Sequence, residues 1–129
     1  MAGEPASSAK LGAIAFDCSD PTALATFYSK LLDVPMGYTS ENFATFKAAG
    51  IWISFHRVAD YHPPRWPDPE APQQLHVDLA VTDIGAAAER AVGLGGHIAD
   101  EQPAPDRWRV MVDPAGHPFC LSPASAFPE

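Results

Sequence analysis

The strongest constraint on this 129-residue chain is that its second half repeats the first. Leu11-Gly12-Ala13-Ile14-Ala15-Phe16-Asp17 reads as a strand, followed by Ser19-Asp20-Pro21. An aspartate accepts from the free amides of a helix start, and the fixed φ of proline suits the first turn. Leu24, Phe27, Tyr28, Leu31 and Leu32 then recur at i, i+3, i+4, i+7 and i+8, the stripe of an amphipathic helix. Extended runs follow at about 35–39, 42–48 and 51–57, with turn residues between them.

The second half gives the same order. Leu75 to Val81 is a strand and Thr82-Asp83 a helix start. Ile84, Ala87, Ala88, Ala91 and Leu94 form the apolar stripe, and Gly95-Gly96 ends the helix. Extended runs recur at about 97–100, 107–112 and 117–122. A chain built this way is predicted to be α+β: two βαβββ modules forming an eight-stranded, cupped, mixed sheet with the helices on its outer face. Setting Asp20 against Asp83 places Ala13 opposite His76, and setting Gly50 against Gly116 places Ser54 opposite Cys120.

Between the halves lies Tyr61-His62-Pro63-Pro64-Arg65-Trp66-Pro67-Asp68-Pro69-Glu70-Ala71-Pro72, where proline excludes regular helix and central strand. The chain therefore reads as one domain over residues 1–129, with module one at about 10–58, a proline-rich linker at about 59–73 and module two at about 74–123. Sixteen acidic against eight basic residues give a formal charge of −8, which repels phosphate backbones and argues against nucleic acid as a partner. No apolar run approaches the roughly 20 residues of a membrane span, and residues 1–10 lack the apolar stretch of a secretion signal. Cys18 and Cys120 are too few for a disulfide framework. A cytoplasmic location is expected.

Two stretches resemble a known family. Asp20 followed by Phe27-Tyr28 and Leu31-Leu32 resembles the opening of the vicinal oxygen chelate superfamily, which includes glyoxalases, bleomycin-resistance proteins and extradiol dioxygenases. Asp113-Pro114-Ala115-Gly116-His117-Pro118-Phe119-Cys120-Leu121 resembles its closing motif, Asp-Pro-x-Gly-Asn-x-x-Glu-Leu. The likeness spans residues 10 to 123 and is greatest to the glyoxalase-like subgroup. It implies a cupped sheet that binds small molecules, often in a homodimer, and in many members a divalent metal held at the four positions found above. Here those positions are Ala13, Ser54, His76 and Cys120. Alanine cannot ligate, serine is a poor ligand, and a thiol has replaced the acid that a hard cation prefers. The expected cofactor is therefore none. The alternative is a zinc site assembled from His56, His76, Asp78 and Cys120.

Strand alternation puts Trp52, Ser54 and His56 on one face, and His76 with Asp78 on one face of their own strand, all expected on the inward side. With Cys120, with Trp66 from the linker beside Arg65, and with Trp108 between Arg107 and Arg109, these form the candidate ligand-binding set. Aromatic faces with a few polar groups suit flat organic ligands. Asp78 needs a partner. Arg107 or Arg109 would make it structural, the preferred expectation, whereas His76 would make it part of a proton-transfer pair. His62, His97 and His117 read as structural or exposed. Three readings follow: a small-molecule-binding protein with the family metal site lost; a metal-dependent lyase, isomerase or dioxygenase acting on a small oxygenated substrate with an altered ligand set; or a structural or regulatory module.

Overall fold

The computed structural model describes residues 10–127. Its elements are β1 (Ala13–Cys18), α1 (Pro21–Leu32), β2 (Tyr38–Thr39), β3 (Phe43–Ala48), β4 (Ile51–Arg57), β5 (Val77–Val81), α2 (Ile84–Gly93), β6 (His97–Ile98), β7 (Arg109–Val112) and β8 (Pro118–Pro123), with a single 3-10 turn at Ala124–Ala126. Strand, helix, strand, strand, strand thus occurs twice. Both helices start on the predicted aspartates: Asp20 accepts from the Ala23 amide at 3.1 Å, and Asp83 from the Ala86 amide at 3.0 Å. No described helix is long and apolar enough to cross a membrane.

The eight strands divide into two four-stranded mixed sheets, ordered β1-β4-β3-β2 and β5-β8-β7-β6. In each, the first strand runs parallel to the fourth, and the others are antiparallel. Ala15 stands opposite Ser54 in one sheet, and Asp78 stands opposite Cys120 in the other. The register derived from the caps and the turn glycines is therefore the register of the ladders. The second strand of each module is shorter than predicted. Pro35 has no amide to give, and β2 reduces to Tyr38–Thr39. Beyond β6 the Gln102 side chain takes the place of a strand, accepting from the Val110 amide at 2.9 Å and donating to the Val110 and Ala99 carbonyls.

One core runs between the sheets and the helices. Phe46, Phe55, Phe119, Met111, Leu121 and Leu24 are fully buried. Tyr28 on α1 joins the modules: its ring lies 5.3 Å from Phe16, 6.0 Å from Phe55 and 5.7 Å from Phe119 of the other sheet. Its hydroxyl donates to Asp113 Oδ2 at 2.6 Å. Asp113, at 1% exposure in the turn between β7 and β8, also accepts from the amides of Ala115 (2.8 Å) and His117 (3.0 Å). The two stretches that carried the family resemblance therefore meet in space. Gly96 permits the same junction elsewhere, since an added Cβ would stand 3.1 Å from the Phe27 ring and from the Val112 carbonyl.

Burial raises the Asp113 carboxyl above its usual range, although the Tyr28 hydroxyl, the His117 charge and the two amides pull it down. The folded protein thus takes up this proton more readily than the unfolded chain, a stabilisation present at low pH and lost as pH rises through the folded pKa. Wild type should gain stability relative to Asp113→Asn on going from pH 7 towards about pH 4, in paired denaturant titrations. A gap that shrinks would refute the raised value. Asp113→Ala strands the Tyr28 hydroxyl and two amides, and should cost about 2–4 kcal/mol.

Candidate functional site

Residues alternate across a strand, so β8 buries Phe119 and Leu121 against α2 and turns Pro118, Cys120 and Ser122 to the other side. Asp78 and Val110 are the ladder partners of Cys120 and share its face. A cavity of about 350 Å³ lies over this face. Trp108 and Pro103 wall it from the segment before β7, and Trp66 and Gln73 wall it from the crossover. His76, Asp78, Cys120 and Ser122 supply its polar groups.

Of the predicted residues, Trp66, His76, Asp78, Trp108 and Cys120 come together here. Trp52, Ser54 and His56 lie on β4 in the other sheet and do not line this cavity. Trp52 is 44% exposed with Lys47 Nζ 5.9 Å from its ring centre. Thr45 Oγ1 donates to the Ile53 carbonyl at 3.0 Å, so the 3.0 Å contact between Ser54 and Thr45 hydroxyls has Ser54 as donor. His56 is exposed, its ring edge-on to Phe43 at 4.9 Å. The donors that cluster with His76 among the described residues are those of Asp78 and Cys120, without His56.

The expected pairing of Asp78 with Arg107 or Arg109 is corrected. Asp78 Oδ1 lies 3.3 Å from His76 Nε2. Arg109 stands opposite Leu121, in phase with Met111, and so leaves the sheet on the helix side while Asp78 leaves on the other. Arg107 is held in the preceding turn, its amide bonded to the Ala104 carbonyl. Arg65, expected beside Trp66, pairs with Asp68 instead. Sequence reasoning missed Val110, Pro118 and Ser122, which two-residue steps from Cys120 and its ladder partner would have found. For Gln73, inside an irregular crossover, no periodic signal existed.

His76, Asp78 and Cys120 offer a nitrogen, an oxygen and a sulfur atom within 4.8 Å of one another, and so make the group best placed to hold a metal ion among the described residues. The family quartet does not fit one: Ala13 has only a methyl group, and the Ser54 hydroxyl is spent on Thr45. The Cys120 thiol is pushed up to about 11, by burial first and then by the charge and hydrogen bonding of Asp78. It is neither a ready nucleophile nor a ready thiolate ligand. The His76–Asp78 pair is half exposed, at 41% and 43%, and the carboxylate orients the imidazole facing the cavity. Such a pair can accept a proton from a bound molecule.

Asp78 is a cause of the high thiol pKa, so removing its charge should lower it. Cys120 should react with iodoacetamide at pH 8 about a hundredfold more slowly than an ordinary thiol. Asp78→Asn should speed that reaction at the same pH, read by peptide mass spectrometry. A variant as slow as wild type would remove Asp78 from the account.

Known proteins bear on this geometry. The glyoxalase-like domain family matches residues 13–122. Among curated proteins, none matches the sequence. The fold is similar to a glyoxalase-related enzyme from Fulvimarina pelagi, with a TM-score of 0.70, 17% identity and coverage of 92% of this chain and 91% of that one. It is similar to the fosfomycin resistance protein FosX from Mesorhizobium loti (TM-score 0.62, 18% identity, 88% and 90% covered). It is also similar to the bleomycin-binding protein of Streptomyces verticillus (TM-score 0.56, 16% identity, 91% and 98% covered). The family match spans nearly all the described chain, both modules included, and the chain belongs to the glyoxalase-like domain family within the vicinal oxygen chelate superfamily.

Proposed function

We propose that this chain binds a small organic molecule in the cup of module two, with the family metal site lost. The carrying observation is the cavity itself: apolar walls from Trp66, Trp108, Val110 and Pro118 around one polar edge of His76, Asp78, Cys120 and Ser122. That combination suits a compact ligand whose flat body packs on indole faces while one oxygen or nitrogen meets the His76–Asp78 pair. Among the structural relatives, one is a bleomycin-binding protein crystallised with copper(II)-bleomycin and another a fosfomycin resistance protein. Two free thiols, Cys18 buried and Cys120 half-buried, suit a reducing cytoplasm.

We also infer a homodimer. Among the described residues, one sheet ends on β1 and β2 and the other on β5 and β6, with no further strand paired to them. Tyr38 and Trp52, at 59% and 44% exposure, lie uncovered in module one. A second copy would cover such edges and apolar groups. Sedimentation at micromolar concentration is expected to give a dimer, and a monomer would remove this part of the reading.

A second reading, a metal-dependent lyase, isomerase or dioxygenase, is favoured by one observation: the three donors of His76, Asp78 and Cys120. Against it, module one contributes no ligand, Asp78 is engaged with His76, and the thiol must lose a proton held to about pH 11. Metal content separates the two. Purified protein should carry no stoichiometric divalent metal, and a chelator should leave its melting temperature unchanged. One zinc per chain, lost in His76→Ala, would replace the binding reading with the enzymatic one.

A further inference from the structure

A second and larger cavity, about 720 Å³, lies between the β1 and β5 strands and under the proline-rich crossover. It shares only Gln73 and His76 with the cup. We propose that it is a separate binding site for an amphipathic organic cation, an amine or guanidinium carrying an apolar or aromatic body.

The body is set by the walls. Phe16, Tyr61 and Leu75 line the cavity together with crossover prolines, and Leu75 is 81% exposed in the chain as it stands. The charge is set by what the walls offer. Asp17 and Glu70 supply two carboxylates, and no lysine or arginine lines the cavity. Gln73 Oε1 is buried without a hydrogen-bond partner among the described residues, an acceptor lacking a donor. The β1 edge adds backbone groups of both kinds. The carbonyls of Gly12 and Cys18 meet amides of the β4 side, so the backbone of Ala13, Ala15 and Asp17 faces the opposite way. The Asp17 carbonyl already takes His117 Nε2 at 2.7 Å, while Ala15 lines the cavity. Beside the edge amides and the imidazoles of His62 and His76, the two carboxylates, the Gln73 oxygen and the Ala15 carbonyl are acceptors for the N–H donors of such a ligand.

The local field has the same sign. The Tyr61 phenol is pushed up to about 12, by burial first and then by Asp113, Cys18 and Asp17. Its hydroxyl donates to the Ala115 carbonyl at 2.7 Å and is thereby fixed as part of the wall. Excess negative charge over the chain draws cations towards such a place.

The test compares three probes with the same aromatic body: 2-phenylethylammonium, 2-phenylethanol and 3-phenylpropionate, titrated by calorimetry and by NMR. The ammonium should bind saturably and the carboxylate not at all, with the alcohol about tenfold weaker than the ammonium. Asp17→Asn and Glu70→Gln, both surface changes, should each weaken ammonium binding about fivefold, and added salt should weaken it further. Trp108→Ala, which alters only the cup, should leave it unchanged, so failure here is separate from failure of the cup reading. Equal affinity for all three probes would overturn the proposal. So would loss of ammonium binding in Trp108→Ala with none in Glu70→Gln. Absence of binding with Tyr61 and Leu75 protected from solvent in a dimer would overturn it too, making a second copy the occupant.

Discussion

The bond from Tyr28 to Asp113 is the interaction on which the arrangement of the two modules depends. Neither module closes its own core, because α1 lays one aromatic ring against rings of both sheets. Packing alone would tolerate sliding of such rings. A buried carboxylate with three donors would not, since any shift leaves a polar atom dry and unpaired. The same turn then places His117, whose ring packs edge-on to Phe16 at 5.4 Å and whose Nε2 reaches the β1 edge. One tyrosine and one aspartate therefore set how far apart the β1 and β5 edges stand, and so the size of the space between them.

The fold was legible because its signals are local and were doubled. Each helix has an aspartate cap and a 3.6-residue apolar stripe, and each closing turn a glycine, Gly50 and Gly116, at positive φ. Two copies of weak signals in the same order outweigh one strong one. The register followed from the same anchors, and Ala15 opposite Ser54 with Asp78 opposite Cys120 vindicated it. What stayed illegible was mostly tertiary. The partner of Asp78 depended on which side of the sheet Arg109 leaves, which alternation could have told. The role of Asp113 depended on a helix 85 residues away in sequence, which nothing local records.

Site residues divided on the same line. Those on β5, β8 and the segment before β7 share a cavity because ladder geometry forces neighbours onto one face. Trp52, Ser54 and His56 were grouped with them on the expectation of a single cup, but they belong to a sheet that forms no ladder with the other among the described residues. Trp66, expected to close over the cup from the linker, lines the cavity from the crossover. Gln73, from the same crossover, has neither periodicity nor an aromatic ring to mark it.

The two modules differ most where the fold constrains them least. On the helix side, equivalent places keep large apolar groups: Phe16 with Leu79, Ile53 with Phe119, Phe55 with Leu121. A polar substitution there would bury an unpaired group beneath a helix, at a cost of several kcal/mol. On the other face, Ala13, Ala15 and Ser54 of module one answer to His76, Asp78 and Cys120 of module two. Ala13, Ala15, His76 and Asp78 there are exposed rather than in the core, so their chemistry can change without loss of the fold. Module one presents two methyl groups along this line and a serine bound to its own sheet. Module two has concentrated a nitrogen, a carboxylate and a thiol within one cavity. The nitrogen, oxygen and sulfur donors on this face thus stand together in one half of the duplication, which is why the module-two cup is the place to look for function.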